Sequence, residues 1–238
     1  MKKIKNDYKF LSSTLKTGDI ILFCGGSGIS KVIEKLEHTQ WSHVGMIVLP
    51  EDIKPVMECE NKPLLWQSSP ALNIKEVQNK PESCGPELVY LDELLSLLKN
   101  YHYTVAVRRL AAHRTEAMLS NLDSFISKVH MDGFPSIRKL AVEFLKATLK
   151  EKTTHALIKI LRLLKQLAGL FKKKQTEFLC CKAGTYFCSE LIAQSYIEMG
   201  LLPAYEVAGS YSPKSFSSQG NLALSNNAHL ENEIFIVF

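Results

Sequence analysis

The chain has 238 residues, of which 46% are apolar, 22% charged and 9% aromatic. That composition excludes wholesale disorder, and the length suits one core with room for an insertion. The net charge of +5 conceals an asymmetry: residues 135–175 hold eleven basic side chains against two acidic ones, a surplus of nine that leaves the rest of the chain at −4.

At the amino terminus the lysines of MKKIKNDYKFLSS are not followed by an apolar stretch, so a secretory signal is not expected. No run of about 18 uncharged apolar residues occurs, so no transmembrane helix is expected. Thr17-Gly18-Asp19 predicts a turn, and Ile20-Ile21-Leu22-Phe23 a short buried strand. The loop Cys24-Gly25-Gly26-Ser27-Gly28 leads into a predicted helix. Its Ile29, Val32, Ile33 and Leu36 fall at i, i+3, i+4 and i+7.

Residues 43–49 (HVGMIVL) read as a buried strand stopped by Pro50. Residues 56–60 and 64–68 are strand candidates separated by Asn61-Lys62-Pro63. Residues 70–87 predict a long loop, residues 89–91 lead into a helix over 92–99, and residues 104–110 (TVAVRRL) predict another strand. From 111 to 178 the pattern is helical, broken near Gly133-Phe134-Pro135. Within 155–171, Lys159, Arg162 and Gln166 recur at spacings of three and four among leucines and isoleucines, the pattern of a basic amphipathic helix. Residues 188–199 predict a helix ended by Gly200, residues 210–218 a loop, and residues 234–238 (IFIVF) a terminal strand. The organisation expected is an α+β domain formed by 1–110 and 179–238, interrupted by a basic helical lobe at 111–178.

The six cysteines (Cys24, Cys59, Cys84, Cys180, Cys181 and Cys188) do not form a disulfide framework in a chain this long without an export signal, and reduced thiols in a cytosol-like compartment are expected. The Gly-rich loop at 24–28 lacks the Lys-Ser/Thr pair of a phosphate loop. Cys180, Cys181 and Cys188 lack a second ligand pair at finger spacing, so no metal and no cofactor are expected.

Cys188 stands at a predicted helix start, where the partial positive charge of the helix favours the thiolate. His43 opens an apolar strand, and an imidazole there has the ordinary pKa of a general base. A third group would orient the imidazole. Glu58 lies fifteen residues later, at hairpin distance, and Gln67 twenty-four later. A neutral amide can serve, because the task is orientation rather than proton removal.

Three motifs in this order carry a family resemblance: Gly18-Asp19-Ile20-Ile21-Leu22-Phe23, Trp41-Ser42-His43-Val44-Gly45-Met46-Ile47-Val48, and Tyr186-Phe187-Cys188-Ser189-Glu190-Leu191-Ile192-Ala193. Together they resemble the circularly permuted papain-like cysteine hydrolases, the YiiX-like branch of the NlpC superfamily, related to lecithin retinol acyltransferase. Ser212-Pro213-Lys214-Ser215-Phe216 is similar to the loop after the cysteine helix in that family. The resemblance covers 15–110 and 180–238 and leaves 111–178 unexplained.

It implies an NlpC-type antiparallel sheet packed on helices, with Cys188 as nucleophile, His43 as base and the backbone N–H of Cys188 as oxyanion donor. The family context around Leu64-Leu65-Trp66-Gln67-Ser68-Ser69 has Glu where this chain has Gln67, which favours Gln67 in the third role, while the shorter spacing favours Glu58. The reaction implied is acyl transfer from an ester, thioester or amide. Within that class the substrate is open: the basic helix favours a lipid acyl group, with peptide or peptidoglycan-type amides as the alternative and a non-catalytic binding module as a second class. Residues 135–175 fit either an anionic membrane surface as partner or a helical lobe that packs its leucines on the main domain and leaves its lysines solvated. Nucleic acid is not expected, because aromatics do not interleave with the basic residues. The localisation expected is cytoplasmic with peripheral membrane association, and export as an effector without a cleaved signal stays open.

Overall fold

The computed structural model describes residues 4–25, 39–53, 59–69, 85–101, 103–130 and 186–237. Within them the architecture is α+β. Seven strands form the main sheet: β1 (Ile4–Asp7), β2 (Ile20–Cys24), β3 (His43–Val48), β4 (Leu64–Ser69), β5 (Gly85–Tyr90), β6 (Thr104–Arg108) and β9 (Ile234–Val237). Their order is β1-β9-β6-β2-β3-β4-β5. A small ribbon pairs β7 (Leu110–Ala111) with β8 (His229–Leu230). The described helices are α1 (Tyr8–Ser12), α2 (Leu91–Lys99), α3 (Glu116–Val129) and α4 (Cys188–Glu198).

The apolar runs of β2 and β3 are continuous rather than alternating, because both faces of the sheet are covered. One face packs Ile20, Leu22, Val44, Met46, Trp66 and Ala106 against Leu122, Phe125 and Ile126 of α3 and Leu191, Ile192 and Tyr196 of α4. The other packs Ile21, Phe23, Ile47, Leu65, Val89 and Val105 against α2 and the segment around α1. Leu91, Leu94, Leu95 and Leu98 give α2 its single buried stripe at i, i+3, i+4 and i+7.

Polar anchors fix the edges of this sandwich. Asp19, at the turn before β2, accepts from Leu110 N–H at 2.9 Å and Arg114 Nη2 at 3.0 Å through Oδ1, and from Lys16 N–H at 2.9 Å through Oδ2. Burial, the largest influence on this carboxyl, still holds its pKa above the ordinary aspartate range. Arg108 donates to the carbonyls of Glu231, Phe216 and Leu230, clamping β6 to the carboxyl-terminal segment. The Tyr196 hydroxyl donates to Gly18 O at 2.7 Å and ties α4 to the turn before β2. Gly200, at φ +70°, takes the left-handed conformation that ends α4, as predicted.

Several sequence expectations are corrected. The sheet is mixed rather than antiparallel, because β1 pairs parallel to β9 (Lys5↔Phe235) while the other pairs are antiparallel. Residues 85–87 belong to β5, not to a loop; Gly85 and Pro86 suggest a turn, but pairing with Ser69 and Ser68 overrides them. Ala111 is in a strand and the helix after it starts only at Glu116, capped by Thr115, whose hydroxyl accepts from Met118 N–H at 3.2 Å. Cys59 and Glu60 are not in a strand, and residues 213–216 form a 3₁₀ turn. Helix α3 falls within 111–178, the stretch expected to form the inserted lobe. Its Leu122, Phe125, Ile126 and Val129 share the core of the main sheet, and Asn121 Nδ2 donates to Glu198 O of α4. The predicted helix at 29–36 and the basic segment 135–175 lie outside the described residues.

Candidate functional site

The site is built where β3 starts, β4 ends and β5 starts, so that three neighbouring strands bring their ends together. Ser42 is pinned there by its N–H to Phe23 O at 2.9 Å, which sets the first residue of β3, His43, opposite Phe23. The two rings pack with centroids 5.4 Å apart. On β4, Trp66 and Ser68 point toward α4, and Leu65, Gln67 and Ser69 toward the other face. Gly45 lies between His43 and Ile47 on β3. A Cβ there would stand 2.8 Å from Leu65 Cδ1, so glycine permits β4 to lie close at this point.

A hydrogen-bonded row crosses the three strands. His43 Nε2 lies 2.9 Å from Gln67 Oε1. Gln67 Nε2 donates to Glu87 Oε1 at 3.0 Å, and Ser69 Oγ donates to the same oxygen at 2.7 Å. Gln67, Ser69 and Glu87 are all at most 3% exposed. Burial, the largest influence, lowers the pKa of His43 below the ordinary histidine value. The Gln67 hydrogen bond and the Glu87 charge oppose that shift.

Cys188 is the first residue of α4 and half-buried against the core. Phe187 N–H donates to Glu190 Oε2 at 3.2 Å, half of a capping box, which fixes where the helix begins. Two residues earlier, Tyr186 O accepts from Ser68 Oγ at 2.7 Å, so the helix start is tied to the strand end that carries Gln67. Trp66 Nε1 donates to Ser195 Oγ at 3.1 Å about two turns into the helix. Cys188 and the His43 row thus occupy the same end of the sheet. The body of α4 covers one face, and the row lies on the other.

Of the residues singled out in the sequence, the structure joins His43 and Gln67 directly and brings the Cys188 helix start to the residue after Gln67. Glu58 lies outside the described residues. Glu87 was missed, because its segment was read as loop; the signal was a lone acid between Pro86 and Leu88 at the head of an apolar run. Cys24 and Cys59 are also described, and burial raises the Cys59 thiol. Among the described residues no group of three or more His, Cys, Asp or Glu side chains is placed to hold a metal ion, and no helix is long and apolar enough to cross a membrane.

No protein-family model and no curated protein matches the chain. Among solved structures it is similar to the crystal structure of metalloprotein yiiX from Escherichia coli O157:H7, with a TM-score of 0.42 and 13% identity, over 92% of this chain and 87% of that one.

Proposed function

We propose that the chain is a cysteine hydrolase or acyltransferase of permuted papain-like type, with Cys188 as nucleophile, His43 as base and Gln67 orienting the imidazole. The observation that carries this reading is the His43–Gln67–Glu87 hydrogen-bonded row, partly exposed at His43 and buried at Gln67 and Glu87, at the end of the sheet where the Cys188 helix begins. In the reaction the Cys188 thiol passes its proton to His43 as Sγ bonds to the substrate carbonyl carbon. The carbonyl π electrons move to oxygen, which the backbone N–H at the helix start would receive. Collapse of that oxyanion breaks the bond to the leaving alcohol, thiol or amine, which takes the proton from His43. Water or another acceptor then attacks the acyl-enzyme, giving its proton to His43 and releasing Sγ.

The substrate class proposed is a lipid acyl group. It is supported by the basic surplus of 135–175, which suits an anionic membrane surface. Reversing Lys172, Lys173 and Lys174 to Glu in the full chain should reduce co-sedimentation with phosphatidylserine vesicles; unchanged binding removes the lipid argument and leaves the amide alternative.

The enzyme reading is tested by alkylation with iodoacetamide. Cys188 should react faster than Cys24 and Cys59 near neutral pH, and His43→Ala should slow Cys188 alone. Intact mass after incubation with phospholipids and acylated peptides should then reveal an acyl adduct on Cys188. One observation favours a second reading: His43 packs on Phe23, on the face opposite the body of α4. A non-catalytic binding module that retains the fold would give a Cys188 indifferent to His43→Ala.

A further inference from the structure

We infer that Glu87 is a positioning residue that acts through Gln67 to dictate which nitrogen of His43 carries the proton and which is left as base, an inference that rests on the role given to His43 above. Glu87 sits in register opposite Gln67, with its carboxylate buried between strands. Two donors converge on its Oε1: the Gln67 amide N–H at 3.0 Å and the Ser69 hydroxyl at 2.7 Å. Gln67 and Ser69 are two residues apart on β4, so the same pleat presents both.

An ionised carboxylate only accepts hydrogen bonds, so Gln67 must turn its NH₂ toward Glu87. An amide has one carbonyl, and that carbonyl then faces His43. A carbonyl also only accepts, so the nitrogen 2.9 Å from it, Nε2, must be the one bearing hydrogen. Nδ1 is left with the lone pair. An amide not held by an acid could rotate by a half-turn and accept the opposite tautomer, which would direct the lone pair into Gln67 instead of toward a substrate. Gln67 is symmetric in shape and ambiguous by itself, and Glu87 removes the ambiguity. The same charge favours the imidazolium that forms when His43 takes a proton, against the burial that disfavours it.

The test is nitrogen-15 NMR of the full chain with labelled histidine, read at His43. The expected result is a neutral imidazole with its proton on Nε2 in the native protein. In Glu87→Gln, which keeps the shape and removes the charge, the proton spreads over both nitrogens and the apparent pKa falls. Glu87→Asp, which keeps the charge, returns the titration toward the native one. A proton on Nδ1 in the native protein overturns the inference, as does a His43 titration identical in Glu87→Gln. If Glu87→Gln does not fold, the native tautomer and Glu87→Asp decide. The readout does not involve the thiol and can be repeated in Cys188→Ala. If His43 answers to Glu87 while Cys188 alkylation ignores His43→Ala, the positioning role stands and the hydrolase reading falls.

Discussion

Replacing Gln67 by methionine isolates what the polar row contributes to the fold. Methionine matches glutamine in length, so no cavity opens and the change is confined to hydrogen bonding. Two partners are left behind: His43 Nε2 without its hydrogen-bond partner and the buried Glu87 carboxylate with one donor fewer. A buried donor left unsatisfied costs about 1–3 kcal/mol, and a lost bond to a charged group about 1.5–3 kcal/mol. The sum, roughly 3–5 kcal/mol, is a large share of the about 5–15 kcal/mol that separates folded from unfolded states. At about 2–4 °C per kcal/mol for a domain of this size, the melting temperature should fall by about 10 °C.

Urea unfolding of Gln67→Met, Glu87→Met and the double variant measures this directly. The double variant removes the stranded carboxylate, so its cost should be less than the sum of the singles by about 1.5 kcal/mol or more. A Gln67→Met cost below about 1 kcal/mol, or strict additivity, would refute the picture of a tightly satisfied row.

Gly45→Ala places a Cβ within 2.8 Å of Leu65 Cδ1 in a fully buried layer and should cost about 1–3 kcal/mol of unfolding free energy, measured by urea titration. Arg114→Met leaves Asp19 buried without its 3.0 Å partner and should cost about 3–5 kcal/mol of unfolding free energy, whereas Lys62→Met, which breaks an exposed pair, should leave the urea midpoint almost unchanged. The lowered pKa of His43 means that the unfolded chain binds its proton more readily than the folded one. Its contribution to stability is therefore present above pH about 6.5 and lost as pH falls through the folded-state pKa. Unfolding free energy compared at pH 7.5 and pH 5 should show a smaller loss in His43→Gln than in the native chain. An identical loss would mean that His43 does not titrate in that window.

Much of this architecture was legible because it is local. Continuous apolar runs mark β2 and β3, four leucines mark the buried stripe of α2, and Gly200 marks the end of α4. His43 and Cys188 were legible as candidate groups because an imidazole at a strand start and a thiol at a helix start stand out in a few residues. What stayed hidden depended on pairing between distant segments. β1 contains Lys, Asn and Asp and reads as a polar tail; it becomes a strand only because β9 offers it an edge. Gly85 and Pro86 carry turn signals, and only the ladder with β4 makes them strand.

The choice of partner for His43 belongs to the same class. Spacing could propose Glu58 or Gln67, but a side chain's face and its diagonal neighbours follow from register, which is fixed between strands and not within one. Glu87 could not be found from its own sequence at all, since an acid at a strand start is ordinary until its neighbour across the sheet is known to be the amide that holds a histidine. The sequence determined which groups were present and which local elements carried them. Tertiary structure decided which of them shared a buried hydrogen-bond row, because that requires three strands in one register and the exclusion of water from between them.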